Sequence, residues 1–220
     1  MAWDEIWEKI FSEGEWGRYP GESLIRFIAR NFYSSERSWL RILEVGCGAG
    51  ANLWYLAREG FNAYGIDGSA SAIKKAAALL SKDGLSAELK VGDISSLPYA
   101  AGFFDAVIDV ECLYANSRKD AEKILAEIKR VLKPQGVFYS RTIADDVHVG
   151  KSRKMLGSKE YTEVSDGPLA GRGFARLTGK RDALELYGAS FEVLSVDSLI
   201  TTFNNGAVKL SEWNIECKKV

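Results

Sequence analysis

Arg41-Ile42-Leu43-Glu44-Val45-Gly46-Cys47-Gly48-Ala49-Gly50-Ala51 is the stretch on which the fold turns. A short apolar run ends in three glycines at alternate positions, and a helical pattern, Asn52 to Glu59, follows at once. That order is a strand, a tight turn and a helix N-terminus. Glycine lets the backbone turn sharply and lets a ligand come close to the main chain. The helix start adds unpaired N–H groups and a dipole that favours a negative ligand group.

Two ligand readings fit. Gly46-x-Gly48-x-x-Ala51 matches a dinucleotide fingerprint with Ala at the third site, and Asp67 stands roughly 20 residues further on, where an acid meets ribose hydroxyls. Glu44-x-Gly46-x-Gly48-x-Gly50 fits a second pattern, decided below by the rest of the chain.

Outward from this turn, strand and helix alternate. Phe61–Asp67 reads as a strand, Ser71–Lys82 as a helix with one apolar face, Leu85–Val91 as a strand and Phe103–Val110 as an apolar strand buried on both faces. Asp120–Leu132 carries a helical stripe, and Lys133-Pro134-Gln135-Gly136 stops it before a fifth strand, Val137–Thr142. Strict alternation implies an α/β, doubly wound, mainly parallel sheet with helices on both faces. Ligands of such sheets bind outside the carboxyl ends of the strands. Gly46, Asp67, Asp93, Asp109 and Glu111 all fall there. Before the first strand, residues 1–36 hold two helical stripes, 3–11 and 22–32, expected over one end of the sheet. Residues 143–177 are polar and Gly-rich and read as an irregular insertion or lid. A short helix and two strands then close the chain, with Asn204-Asn205-Gly206 as the turn between them. The whole, 1–220, reads as one domain.

Composition narrows the partners. The 29 basic and 30 acidic residues nearly cancel, and lysine and arginine are scattered. Neither a nucleic acid nor an anionic membrane surface is an expected partner. No apolar run approaches the roughly 18 residues of a membrane span. The start of the chain has no apolar leader-like core, and Cys47, Cys112 and Cys217 are few, odd in number and widely spaced. Both features point to a reducing, cytoplasmic setting. A single histidine, His148, argues against a His-rich metal site, and none is expected. The oligomeric state stays open between monomer and homodimer.

Four stretches together resemble the class I S-adenosylmethionine-dependent methyltransferases, of the stand-alone bacterial type. They are Ile42–Gly50, Tyr64–Ser69, Val91–Tyr99, and Phe103–Asp109 with Arg130–Gly136. The resemblance implies a seven-stranded sheet of order 3-2-1-4-5-7-6 with strand 7 antiparallel, and S-adenosyl-L-methionine as cofactor. It places Gly46, Gly48, Gly50 and Asn52 along the methionine and ribose portion. Glu44 and Asp109 would stand near the methionine ammonium, Asp67 and Gly68 at the ribose, and Asp93 and Ile94 at the adenine. Arg18, in the aromatic entry with Trp16 and Tyr19, is expected to pair with the methionine carboxylate.

The acceptor is expected to be a small molecule methylated at oxygen or nitrogen. Glu111 is the candidate base, His148 a second, and Arg141, Arg172 and Arg176 a candidate anion site. An Asn-Pro-Pro-Tyr signature of amide or adenine methylation is lacking; Asp109-Val110-Glu111-Cys112 stands in its place. The alternatives are a nicotinamide-dependent oxidoreductase and a non-catalytic S-adenosylmethionine-binding partner subunit.

Overall fold

The computed structural model describes residues 3–220. Its centre is β1 (Arg41–Val45), whose apolar residues are fully enclosed. The glycine turn leads from it into α3 (Ala51–Arg58), whose N-cap, Gly50, is left-handed at φ 85°. Alternation continues through β2 (Asn62–Asp67), α4 (Ala70–Lys82), β3 (Glu88–Val91), β4 (Phe104–Val110), α5 (Arg118–Val131) and β5 (Leu132–Ile143). Ser69 caps α4 by accepting the Ala72 N–H at 3.0 Å, and Ser117 caps α5 through Asp120.

Ahead of β1 lie α1 (Ile6–Glu13) and α2 (Glu22–Phe32); after β5 come β6 (Lys154–Gly157), β7 (Glu160–Thr162), β8 (Ala175–Arg176), α6 (Lys180–Gly188), β9 (Glu192–Phe203) and β10 (Val208–Lys218). The main sheet runs β3-β2-β1-β4-β5-β10-β9. β9 and β10 are its sixth and seventh strands, so the order is the expected one. β10 pairs antiparallel to both β5 and β9, while β1 to β5 pair in parallel.

The period-two alternation of the strands divides the core. Ile42, Ala106, Ile108 and Tyr139 face α2, α3 and α4, burying Leu24, Phe27, Ile28, Leu53, Leu56 and Leu80. Leu43, Val45, Val107, Phe138 and Ile215 face α5 and α6, burying Ile124, Leu125, Ile128, Ala183 and Leu186. A methyl-lined interior of this kind is the main favourable term in folding.

Three expectations need correction. The helix at 22–32 packs on a face of the sheet, not over its end, because Leu24, Phe27 and Ile28 form a stripe with no more than 1 % exposure. The insertion is not irregular throughout: β6, β7 and β8 form a three-stranded antiparallel sheet, seated on the apolar cluster of Tyr114, Ile143, Val147, Val164 and Leu169. The stop at 133–136 is the entry into β5, bent by Gln135 at φ 64°, and it pairs with the chain end through Gln135 N–H to Lys219 O at 2.9 Å.

Candidate functional site

A cleft of about 770 Å³ opens above the carboxyl ends of β1 and β4. The strand order reverses at β1, with β2 on one side and β4 on the other. This is the switch point at which open α/β sheets bind ligands.

Its floor is the glycine turn. Gly46 and Gly48 are left-handed, at φ 65° and 50°. A Cβ on Gly46 would stand 2.3 Å from Cys112 Sγ, and one on Gly48 would meet the Phe11 ring at 3.0 Å. Any side chain there would strain the backbone and fill the cleft. Asp67, at the end of β2, braces the turn. Its Oδ2 accepts the Gly48 N–H at 2.9 Å and its Oδ1 the Ser69 N–H at 2.8 Å. Burial pushes its carboxyl above the usual range, against those two hydrogen bonds.

Glu44 lies deeper. It is buried on β1, and Oε1 accepts from Asn52 Nδ2 at 2.5 Å. Oε2 is buried without a partner. Burial raises its pKa well above the ordinary value, with Asn52 opposing. An orphaned carboxylate oxygen at the cleft floor calls for a hydrogen-bond donor from a ligand. Gly92, Ile94, Asn52 and Gly68 complete this half.

The other half is aromatic and is assembled from distant parts of the chain. Trp3, Trp7, Phe11, Trp16 and Tyr19 come from the N-terminal segment, Tyr114 from the turn after β4, Leu169 and Arg172 from the insertion, and Phe203 and Leu210 from the β9–β10 hairpin. Phe11 and Trp16 stack with centroids 4.6 Å apart. Glu111, left-handed at φ 58°, lines the cleft and forms an ion pair with Arg141. Arg141 Nε also lies 2.9 Å from Glu212 Oε1, at an angle too bent for a hydrogen bond. One guanidinium thus serves two carboxylates. Burial raises Glu212 to about 7, against the pull of Arg141, while Glu111 adds to the rise.

The cleft brings together Glu44, Gly46, Gly48, Gly50, Asn52, Asp67, Gly68, Ile94 and Glu111. Arg18, Asp93, Asp109, His148 and Arg176 do not line it. Arg18 pairs with Asp83, its guanidinium 4.7 Å above Trp54. Asp93 accepts from Ser95 N and Oγ at 2.9 and 2.7 Å, while its neighbours Gly92 and Ile94 face the cleft. Asp109 is fully buried and accepts from the Cys112 and Leu113 N–H groups and from Ser140 Oγ. Burial lifts it to about 6. His148 stands 3.5 Å from Asp166 beside Gly167. Of the three arginines expected at an anion site, Arg176 is buried on the carbonyls of Asn116 and Leu113, whereas Arg141 and Arg172 reach the cleft.

Sequence reasoning missed Glu212, Trp7, Phe11, Phe203 and Leu210, which meet only through tertiary packing. It also missed Glu8, which accepts from Ser69 Oγ at 2.6 Å and from Ser71 Oγ and ties α1 to the start of α4. Glu8 precedes its partners by some 60 residues, and no local signal marks it. Cys47 and Cys112 are packing thiols, their pKa values pushed well up by burial. No group of His, Cys, Asp and Glu among the described residues forms a metal-binding set. No helix among them is long and apolar enough to cross a membrane.

A doubly wound sheet with a glycine turn, and with buried acids ending its first two strands, offers a ligand cleft at the switch point. Residues 42–136 match the model of the methyltransferase domain. The sterol 24-C-methyltransferase ERG6B of Gibberella zeae is 33% identical over 127 residues, 54% of this chain and 33% of its own length. Norajmaline N-methyltransferase of Rauvolfia serpentina is 34% identical over 96 residues, 42% of this chain and 32% of its own. The chain spans about a third of the length of these curated relatives. Among solved structures, an S-adenosylmethionine-dependent methyltransferase of Methanosarcina mazei superposes with a TM-score of 0.68 at 24% identity, covering 82% of this chain and 92% of its own. The magnesium protoporphyrin IX methyltransferase of Synechocystis, with its cofactor bound, gives a TM-score of 0.65 at 15% identity, over 98% and 90%. Residues 42–136 thus match a methyltransferase domain, and the chain has the fold of these solved methyltransferases.

Proposed function

We propose that this chain transfers the methyl group of S-adenosylmethionine to a small-molecule acceptor, at oxygen or nitrogen. The observation that carries the reading is the division of one cleft into two chemically distinct halves. The orphaned Glu44 oxygen and the bare glycine backbone lie on one side; the aromatic walls with Glu111 lie on the other. S-adenosylmethionine supplies an electrophilic methyl on a sulfonium centre. Glu44 Oε2 is suited to its ammonium, and the spare lone pairs of Asp67 to its vicinal ribose hydroxyls. Ile94 offers an apolar wall for the base. The aromatic half excludes water and holds the acceptor in line, the larger part of what such a displacement needs.

An acceptor hydroxyl or ammonium must give up a proton. Glu111 reaches the cleft and takes that proton in this reading, with Arg141 fixing its carboxylate. His148 has no part in it, because it faces Asp166. The three free cysteines fit a reducing compartment such as the cytoplasm. The test is label transfer from methyl-labelled cofactor to fractionated metabolites. A Glu111→Gln variant should bind S-adenosylhomocysteine as the parent does and transfer label at a rate lower by roughly two orders of magnitude. Tight cofactor binding without transfer to any fraction would favour a non-catalytic partner subunit.

A further inference from the structure

Two cations line the cleft among the described residues, Arg141 and Arg172. They are not equivalent. Arg141 is shared by Glu111 and Glu212 and has no charge left to offer. Arg172 has no carboxylate in salt-bridge reach among the described residues, and its guanidinium donates to no protein acceptor. Asp4, on the neighbouring segment, spends its Oδ1 on the Ile6 N–H instead. A guanidinium carries five N–H donors in a fixed fork, and at this half-exposed place on the cleft wall they are open to a ligand.

The arginine is also held in place. Gly171 and Gly173 flank it in left-handed conformations, φ 68° and 73°. Gly173 sits against α1 so tightly that a Cβ would come within 2.8 Å of Ile6 Cγ2. The Arg172 guanidinium lies over Trp16 at 5.3 Å and Trp7 at 6.0 Å from the ring centroids. These two indoles also contact Phe11, the ring that covers Gly48. Trp7 and Trp16 therefore stand between Arg172 and the glycine floor, so Arg172 belongs to the aromatic half. Tyr114 packs in the same apolar cluster as Leu169 and Trp7, the indole beneath Arg172, and its hydroxyl is a second donor without a protein partner.

We propose that Arg172, with the Tyr114 hydroxyl, receives an anionic group on the methyl acceptor, a carboxylate or a phosphate. The apolar body of that acceptor lies along Leu169, Leu210 and Phe203. The substrate class is an amphipathic acid whose nucleophilic oxygen or nitrogen sits at the other end, by Glu111. This inference rests on the methyltransferase reading above, and its test separates the two.

S-adenosylhomocysteine is first titrated into the parent protein and into Arg172→Met. The loaded proteins are then titrated with hexanoate, hexyl phosphate and the neutral hexanamide. The expected result is that the parent binds either anion roughly tenfold or more tightly than hexanamide. Arg172→Met should lose that preference and keep its S-adenosylhomocysteine affinity, and Tyr114→Phe should lose part of it. Equal binding of anion and amide by the loaded parent would overturn the proposal. So would a loss of S-adenosylhomocysteine affinity in Arg172→Met with methylthioadenosine binding retained, because Arg172 would then grip the cofactor's own carboxylate. Failure of the parent to bind S-adenosylhomocysteine at all would overturn the methyltransferase reading itself, and this proposal with it.

Discussion

The two halves of the cleft are built by opposite means. In the reading proposed above, the cofactor half comes from consecutive residues at strand ends: Glu44 to Asn52, Asp67 with Gly68, and Gly92 with Ile94. Local geometry fixes each piece, and the parallel sheet brings the pieces together. The acceptor half draws on residues from Trp3 to Leu210, contributed by the N-terminal segment, the insertion and the closing hairpin. Its polar centre, Glu111–Arg141–Glu212, joins the turn after β4 to the seventh strand of the sheet. The first half is a property of the fold; the second is a property of this chain's additions to it. Relatives whose printed names differ in acceptor, a sterol and norajmaline among them, match this chain over only 54% and 42% of its length.

The largest effect is expected where the acceptor half is most coupled. Arg141→Met leaves Glu111 and Glu212 facing each other unneutralised and should cost about 3 kcal/mol of stability in a denaturant titration. A cost near zero would mean that the triad is not a structural unit. Gly46→Ala comes next. It places a Cβ against Cys112 Sγ on a left-handed backbone, and should cost about 2 kcal/mol and abolish S-adenosylhomocysteine binding. Retained binding would remove the close-approach argument for the floor.

The pH dependence of stability sharpens the comparison further. Glu212 is raised to about 7 in the folded protein from an ordinary 4.5. The folded state therefore holds a proton that the unfolded state has released, and this favours folding at low pH. The contribution is complete below about 4.5 and is lost as pH rises through about 7. Asp109, at about 6 against 3.8, acts with the same sign. Glu212→Gln should flatten the fall in thermal stability between these limits without touching the Asp109 part. An unchanged slope would show that Glu212 titrates elsewhere. The smallest effect is expected at His148→Ala, which should leave methyl transfer and its pH profile as they are. A changed pH profile would return His148 to the reaction.

The contrast also explains how much the sequence alone disclosed. The alternation of strands and helices, the helix faces and most residues of the glycine-floored half of the cleft were legible, because alternation, a glycine turn and acids at strand ends are local patterns; the strand order followed from the family resemblance. Asp93 and Asp109 were legible as positions but not as orientations. The strand-end pattern says that an acid stands there, not that Ser95 or the turn after β4 will occupy its carboxylate. Arg18 sat in a suggestive aromatic stretch, yet Asp83 at the end of α4 and the Trp54 ring hold it. The small sheet of the insertion went unseen, since its strands are short and carry little apolar alternation. Glu212 was hidden for a physical reason: nothing in Ser211-Glu212-Trp213 shows that β10 will set this acid against Arg141.

The central claim is that one cleft holds a cofactor half braced by Asp67 and a separate acceptor half. The most direct measurement is calorimetric titration of S-adenosylhomocysteine into the parent protein, Asp67→Ala and Arg172→Met, with NAD as the control ligand. The account predicts tight binding to the parent, a loss of roughly 10- to 100-fold in Asp67→Ala, parent-like binding in Arg172→Met and none of NAD. Parent-like affinity in Asp67→Ala, or binding of NAD in place of S-adenosylhomocysteine, would contradict it.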